Sequence, residues 1–285
     1  MSSAFTRSEL LQRLRSAGFR PSKTLGQNFL ADMNIARKIC EAAAAGTAVR
    51  ALEIGPGFGS LTLPLATYFE TVVAVETDRM LVDQLQQLLA ERGIANVELI
   101  RADVLKLDFE RLGVARLPTV AVGNLPYNIA SQIILRTLES AWFVEQMVFM
   151  VQAELADRLL APIPSRQASA FGVRVALLAS VATVAKVPPS VFVPEPKVSS
   201  KVISLTRIED PLSVIDPALY RATVAAVRLG FGRRRQMLRR IFDGEAAAAL
   251  RLSGIDPQSR AENLAVPEWI ALGQAMIDEG LLLAD

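Results

Sequence analysis

The sequence predicts an α/β protein built on a doubly wound, mostly parallel sheet with an antiparallel edge, followed by a small all-α domain. Three observations carry this. From Val49 to about residue 160, short apolar and β-branched runs alternate with helix-length amphipathic segments, the pattern of parallel strands joined by crossover helices. A glycine-rich turn, Gly55–Gly59, falls between the first of those strands and its helix. After Glu209-Asp210-Pro211 the strand pattern stops and only helical periodicity remains. A boundary is therefore expected near 208, giving domains 1–208 and 209–285.

Taken in order, residues 1–22 read as a short basic helix ending near Gly18 and Pro21. Arg7, Glu9, Arg13, Arg15 and Arg20 lie there with no apolar segment between them, so no signal peptide is expected. Lys23–Leu30 (KTLGQNFL) is polar and precedes a helix over about 32–45 that Asp32 or Asn34 can cap. Val49–Ile54 is the first strand of the alternation and Leu61–Phe69 its helix. Thr71–Glu76, with Val72, Val73 and Val75, is the second strand. Asp78 can cap a helix over Met80–Arg92, where Leu81, Leu85, Leu88 and Leu89 make one face; Gly93 ends it.

Val97–Ile100 is the third strand. Val120–Val122 is the fourth, with a helix over Ile129–Leu138, and Gln146–Gln152 the fifth, with a helix from about Glu154. Residues 181–207 read as two strands around a proline-rich turn, an antiparallel pair at the sheet's edge. The later helices are expected over Pro217–Leu229, Gly232–Phe242, Glu245–Leu252 and Pro267–Leu283.

Composition narrows the chemistry before any motif does. The 285 residues contain no histidine and one cysteine, Cys40. That excludes a Ser-His-Asp or Cys-His nucleophile, a zinc site of the usual kind and any intrachain disulfide, and no metal is expected. The single thiol agrees with a reducing compartment, so a cytoplasmic protein is expected. The longest apolar stretch, near Val175–Ala185, is too short to span a bilayer. A net charge of +2 is too mild to diagnose nucleic-acid binding, so any basic surface must be local.

The glycine turn has the form E-x-G-x-G-x-G, with Glu53 before it and Pro56 inside it, and lacks the G-x-G-x-x-G spacing of nicotinamide folds. Glu76, at the end of the second strand, can take both hydroxyls of a ribose. Together these suit a nucleotide-like cofactor, either a dinucleotide or S-adenosylmethionine; a purely structural strand–helix turn is the alternative. Asp103, at the third strand's end, can accept from an adenine amino group or cap a helix after it. In a doubly wound sheet these positions share one crevice.

The stretch Val120–Ser131 (VAVGNLPYNIAS) ends its strand at Gly123 and continues as Asn124-Leu125-Pro126-Tyr127. Pro126 fixes its own φ and holds Leu125 extended. A stiff loop then offers an amide, a backbone carbonyl and a flat ring, which suits a planar base with an exocyclic amino group. Two acceptors on the N–H groups of such an amine would favour a more tetrahedral nitrogen and aim its lone pair at a sulfonium methyl. Positioning would then do the catalysis, with no protein base required. A turn with a packed tyrosine is the plainer reading.

The motifs LGQNFL (Leu25–Leu30), EIGPG (Glu53–Gly57), VETD (Val75–Asp78), Ala102-Asp103, NLPYNIAS (Asn124–Ser131), VFVPEPKVSSKV (Val191–Val202), FGRRRQMLRR (Phe231–Arg240) and RAENL (Arg260–Leu264) occur in one order. In this the chain resembles the ribosomal RNA adenine N6,N6-dimethyltransferase family. The resemblance implies a Rossmann-like S-adenosylmethionine-dependent fold and dimethylation of two adjacent adenosines near the 3′ end of 16S rRNA in the 30S particle, with S-adenosylhomocysteine as product. It implies that Asn28 and Leu30 belong to a flap (1–30) over the cofactor, that Gly55 and Gly57 hold the methionine part, and that Glu76 and Asp103 hold the ribose and adenine. It further implies that Asn124 and the Leu125 carbonyl hold the target amine, that Asn124 also borders the methyl donor, and that Tyr127 and Phe192 stack on the flipped base. Read without the resemblance, Phe192 between Val191 and Val193 is core.

Arg233, Arg234, Arg235, Arg239 and Arg240 are five arginines in eight residues, the best local site for rRNA phosphates; a solvated helix face is the alternative. Arg7, Arg13, Arg15, Arg20 and Lys23 could add a second patch. The family often has a polar residue within the FGRRR stretch, which leaves the details of docking open. A monomer is expected. The rival functions are a 23S rRNA adenine N6-methyltransferase, a ribosome-assembly factor that keeps this fold without activity, and, more distantly, a nicotinamide oxidoreductase.

Overall fold

A seven-stranded sheet organises the first of two units in the computed structural model, which describes residues 6–19, 27–112, 117–209 and 216–281. One unit comprises Met1–Ala156 with Val181–Thr206; the other comprises Asp157–Ser180 with Arg207–Asp285. The sequence suggested a single cut near 208. The contacts instead group Asp157–Ser180 with the C-terminal residues.

In the first unit the elements are α1 (Arg7–Ser16), β1 (Phe29–Leu30), α2 (Met33–Ala43), β2 (Arg50–Ile54), α3 (Thr62–Tyr68), β3 (Thr71–Glu76), α4 (Arg79–Arg92), β4 (Val97–Arg101) and α5 (Phe109–Leu112). There follow β5 (Thr119–Asn124), α6 (Ala130–Ser140), β6 (Val144–Gln152) and α7 (Ala153–Leu160), which runs on into the second unit. After α8 (Ala170–Ala176) of that unit come β7 (Ala179–Val187), β8 (Phe192–Val193) and β9 (Ser200–Arg207). The large sheet has the order β4-β3-β2-β5-β6-β9-β7. Strands β2 to β6 pair in parallel, and β9 lies antiparallel on β6, with Gln152 opposite Ser200.

The chain order reverses between β2 and β5, whose carboxyl ends therefore open a crevice. Every residue of β2 is buried, as a central parallel strand covered on both faces requires. Asp32 caps α2 by accepting from the amides of Asn34 and Ile35, and Asp78 caps α4 through Met80 and Leu81. Gly93 closes α4 at φ 65°. The apolar face of α4 (Leu81, Leu85, Leu88, Leu89) packs with Leu10 and Leu14 of α1 and with Phe29 and Phe58.

A small sheet that the sequence did not suggest joins the N-terminal segment to the proline-rich turn. β1 pairs antiparallel with β8, Phe29 opposite Val193 and Leu30 opposite Phe192. Two-residue strands have too few positions to show a period. The expected boundaries elsewhere shift by a few residues, with β5 running to Asn124 itself. Arg20, Lys23 and the boundary residues Asp210 and Pro211 lie outside the described residues.

The second unit adds α9 (Pro217–Gly232), α10 (Ala246–Leu252) and α11 (Val266–Asp278). Its core gathers Val173, Val227, Leu238, Phe242, Leu250 and Trp269. No helix forms over Gly232–Phe242 beyond a 3₁₀ turn at Leu238–Arg240. The amides of Leu238 and Arg239 donate to the carbonyls of Ser259 (2.8 Å) and Pro257 (3.0 Å), so they cannot join an i→i−4 ladder.

Candidate active site

The glycine turn after β2 is shaped by its neighbours. The Gly55 amide donates to the Val75 carbonyl at 2.9 Å, tying the turn to β3. Gly57 stands at φ 57°, and a Cβ there would meet the Phe29 ring at 3.0 Å. A side chain there would be strained by the backbone and would have to push the Phe29 ring aside by a few tenths of an ångström. At the end of β5, a Cβ on Gly123 would meet the Ile54 carbonyl oxygen at 2.6 Å. Only glycine lets the two strand ends approach this closely.

Glu76 closes β3 beside this turn. Its Oε2 accepts from the Gly57 amide at 3.2 Å, and its Oε1 from the amides of Thr77 (2.8 Å) and Asp78 (3.0 Å). Burial pushes its pKa up, and these three backbone donors oppose the shift. Asp103 follows β4. It accepts from the Leu105 amide at 3.0 Å and its Oδ2 lies 3.9 Å from Lys106 Nζ, so it caps a turn at 104–106 where a helix is expected from the sequence. Asp103 nonetheless lines the same cavity as Glu76.

The Asn124–Tyr127 loop is rigid by its bonds. Leu125 is buried and its amide donates to the Met150 carbonyl at 3.0 Å. Asn124 Nδ2 donates to the Asn28 carbonyl at 2.7 Å. Because the partner is a carbonyl, the NH2 end of the amide must face it, and Oδ1 is left as an acceptor. The Tyr127 hydroxyl shares a hydrogen bond of 2.8 Å with Ser200 Oγ. Burial holds the phenol pKa above its ordinary value, against a smaller pull from Ser200. Ser60 Oγ donates to the Leu30 carbonyl at 2.7 Å, a second tie between flap and glycine turn.

One cavity is lined by Asn28, Leu30, Gly55, Gly57, Glu76, Asp103, Asn124, Leu125, Pro126 and Tyr127, all of them expected from the sequence. It is also lined by Glu53, which in the sequence only precedes the glycine turn and carries no role of its own. Glu53 is 1% exposed, and its Oε2 has no hydrogen-bond partner. Its pKa is pushed up to about 8, chiefly by burial; the Thr62 hydroxyl opposes this and the charge of Glu76 adds to it. No described lining residue is basic. Three carboxyl groups, a glycine cradle and an unpartnered buried oxygen fit a ligand with ribose hydroxyls and a positive charge, as S-adenosylmethionine has. Among the described residues no cluster of three or more His, Cys, Asp or Glu could hold a metal ion.

Phe192 is not in this cavity. It is fully buried in the cluster containing Leu30, Ile39, Cys40 and Val202, so the base-stacking role is corrected to a core role in this state. Pairing of β8 with β1 turns its side chain inward. Of the arginine cluster, Arg233, Arg235, Arg239 and Arg240 are exposed. Arg234 is engaged within its own unit: its Nε donates to Glu262 Oε2 at 2.8 Å, and its Nη2 donates to the Arg166 carbonyl. It is therefore removed from the set of free phosphate ligands.

Residues 18–278 match the family model described as ribosomal RNA adenine dimethylase. The chain is similar to the ribosomal RNA small subunit methyltransferase A of Moorella thermoacetica, 38% identical over 97% of this chain and 99% of that one. The protein of the same name from Acidothermus cellulolyticus is 37% identical over 94% and 93%. Among solved structures, a dimethyladenosine transferase from Plasmodium falciparum superposes with a TM-score of 0.72 at 24% identity, covering 88% of this chain and 98% of that one. The 23S rRNA methyltransferase ErmE gives 0.64 at 27% identity, covering 88% and 100%.

Proposed function

Because the chain belongs to the ribosomal RNA adenine dimethylase family, we propose that it dimethylates the N6 amino groups of two adjacent adenosines near the 3′ end of 16S rRNA, using S-adenosylmethionine. The substrate is the 30S particle or its precursor, and the protein works as a cytoplasmic monomer in small-subunit biogenesis. The observation that carries this reading is one cavity lined by the cofactor-type residues Gly55, Glu76 and Asp103 together with Asn124 and Tyr127.

S-adenosylmethionine, when bound, supplies a methyl group activated by its sulfonium. Glu76 and Asp103 would hold the ribose and adenine with the lone pairs their backbone partners leave. Gly55 and Gly57 would hold the methionine part, under the flap carrying Asn28 and Leu30. Asn124 Oδ1 and the Leu125 carbonyl would accept the two N–H bonds of the target amine and turn its lone pair toward the methyl. Tyr127 would stack on the flipped base, with its ring set by Ser200. The amine proton leaves to water after transfer, which suits a chain without histidine. Exposed Arg233, Arg235, Arg239 and Arg240 would meet rRNA phosphates.

The likeness to ErmE keeps 23S rRNA as a second reading, while the small-subunit names of relatives at 38% and 37% identity favour 16S. Transfer of labelled methyl to 30S and 50S particles from a strain lacking the modification tests the choice. Label in 30S alone is expected; label in 50S alone would select the 23S reading. Tight binding without transfer would select the inactive assembly factor.

A further inference from the structure

Tyr127 lines the cavity, yet its hydroxyl is committed to a residue outside the cavity wall. Ser200 Oγ lies 2.8 Å from the phenol oxygen, and Ser200 is only 1% exposed. A buried serine hydroxyl is costly unless it is hydrogen-bonded. A ring that only stacks needs no hydroxyl, since phenylalanine would offer the same face.

The sheet fixes where Ser200 stands. Asn124 at the end of β5 pairs with Met150 of β6, and Met150 pairs with Val202 of β9, so the three lie in one row across the strands. β6 continues past that row to Gln152, whose partner is Ser200. Ser200 is therefore level with the loop that follows β5. Side chains alternate along a strand, so Ser200 shares its face of β9 with Val202, which is buried in the core with Val148 and Met150. The start of β9 is also held by the Ala153 amide, which donates to the Ser199 carbonyl at 3.0 Å. Leu125, in the same loop as Tyr127, is tied to Met150 of that row. The amide and the ring thus take their positions from one rigid set of strands.

We infer that Ser200 is a positioning residue for methyl transfer: through the phenol hydroxyl it sets the plane of the Tyr127 ring, and so aligns the stacked base with Asn124. This rests on Tyr127 being the ring that carries the target adenine. A phenol oxygen is conjugated with its ring, so its hydrogen bonds run close to the ring plane whichever hydroxyl donates. A partner held still therefore fixes the direction of the ring and also its rotation about the Cβ–Cγ bond. Phenylalanine keeps the stacking area and loses that restraint. Because the base lies flat on the ring, a tilt carries the exocyclic nitrogen away from its acceptors at Asn124 and Leu125. Misplacement of reacting atoms slows transfer while leaving the stacking contact in place.

Ser200→Ala, Tyr127→Phe and the double variant test this in the full-length protein with modification-free 30S particles. Single-turnover methyl transfer should slow about three- to tenfold in each single variant, the worth of one ordinary hydrogen bond. The double variant should lose no more than either single one, because the second substitution removes a partner already lost. Affinities for the particle and for S-adenosylmethionine should stay within about twofold of wild type. A wild-type transfer rate in Ser200→Ala overturns the inference. So does a further loss when Ser200→Ala is added to Tyr127→Phe, which would mean that Ser200 acts by some route other than the phenol; thermal melts of the four proteins report any share due to folding. A wild type that methylates neither 30S nor 50S particles would instead overturn the rRNA reading, and the inference falls with it.

Discussion

Asn124 donates its side-chain NH2 to the main-chain carbonyl of Asn28, 2.7 Å away. One bond thus joins the loop after β5 to the N-terminal flap and orients the amide, so the oxygen left over is the one the chemistry calls for. Ser60 makes the parallel tie from the glycine turn to Leu30.

Asn124→Ala should fold, bind S-adenosylmethionine within a few-fold of wild type, and lose turnover by about 10²–10³, the effect of removing one preorganised polar group. Asn124→Asp should do no better, because a carboxylate cannot donate to the Asn28 carbonyl. Single-turnover methyl transfer beside a binding isotherm checks both; near-normal turnover in Asn124→Ala would refute the amide's role.

Tyr127 and Phe192, paired by family resemblance, should separate in experiment. Tyr127→Ala should reduce kcat/KM for the particle by about 1–3 kcal/mol of missing stacking and leave cofactor affinity alone. Phe192→Ala should lower stability by about 3–5 kcal/mol, as for a fully buried core aromatic. Thermal melts and kinetics on the two variants decide; a Phe192→Ala protein that melts like wild type would restore the stacking role.

The arginines divide in the same way. Arg233→Glu with Arg235→Glu should weaken 30S binding and reduce its salt slope by roughly one for each phosphate no longer neutralised. Arg234→Glu should act by breaking its bonds to Glu262 and Arg166, and appear first as a lower melting temperature. Particle binding titrated at several salt concentrations distinguishes these, and a stable Arg234→Glu protein with a reduced slope would return that residue to the RNA-facing set.

Glu53 also predicts a pH dependence of the empty protein. Its pKa rises from 4.5 unfolded to about 8 folded, so the folded state holds a proton that the unfolded state has lost between those values. Stability from this group is complete below pH 4.5 and declines as the pH rises to about 8. Glu53→Gln should flatten that decline and melt higher than wild type at pH 9. Parallel pH profiles of the two proteins in melts without cofactor would contradict this.

What the sequence made legible follows from how local each signal is. The residues of β3, Thr71–Glu76, come directly from a β-branched run, and the Asp32, Asp78 and Gly93 caps from single residues whose chemistry admits few other uses. Gly55, Gly57, Glu76, Asp103 and the Asn124–Tyr127 loop were legible because they sit at strands' carboxyl ends, where the doubly wound order brings them together, whereas Asn28 and Leu30 were reached through the resemblance alone. Long-range facts were not. Nothing near Phe192 announces that β8 pairs with β1, nothing near Arg234 names Glu262, and the amides of Leu238 and Arg239 are diverted by a loop some twenty residues on. Glu53 was visible as a letter; its importance lies in the missing partner, which only packing can show.

The most direct test of the central claim is the identity of the product. Digestion of 16S rRNA to nucleosides after reaction of modification-free 30S particles with the protein and S-adenosylmethionine, with mass spectrometry of the adenosines, reports it. N6,N6-dimethyladenosine at two neighbouring positions near the 3′ end is expected. Unmethylated adenosines there, from protein shown to bind both particle and cofactor, would contradict it.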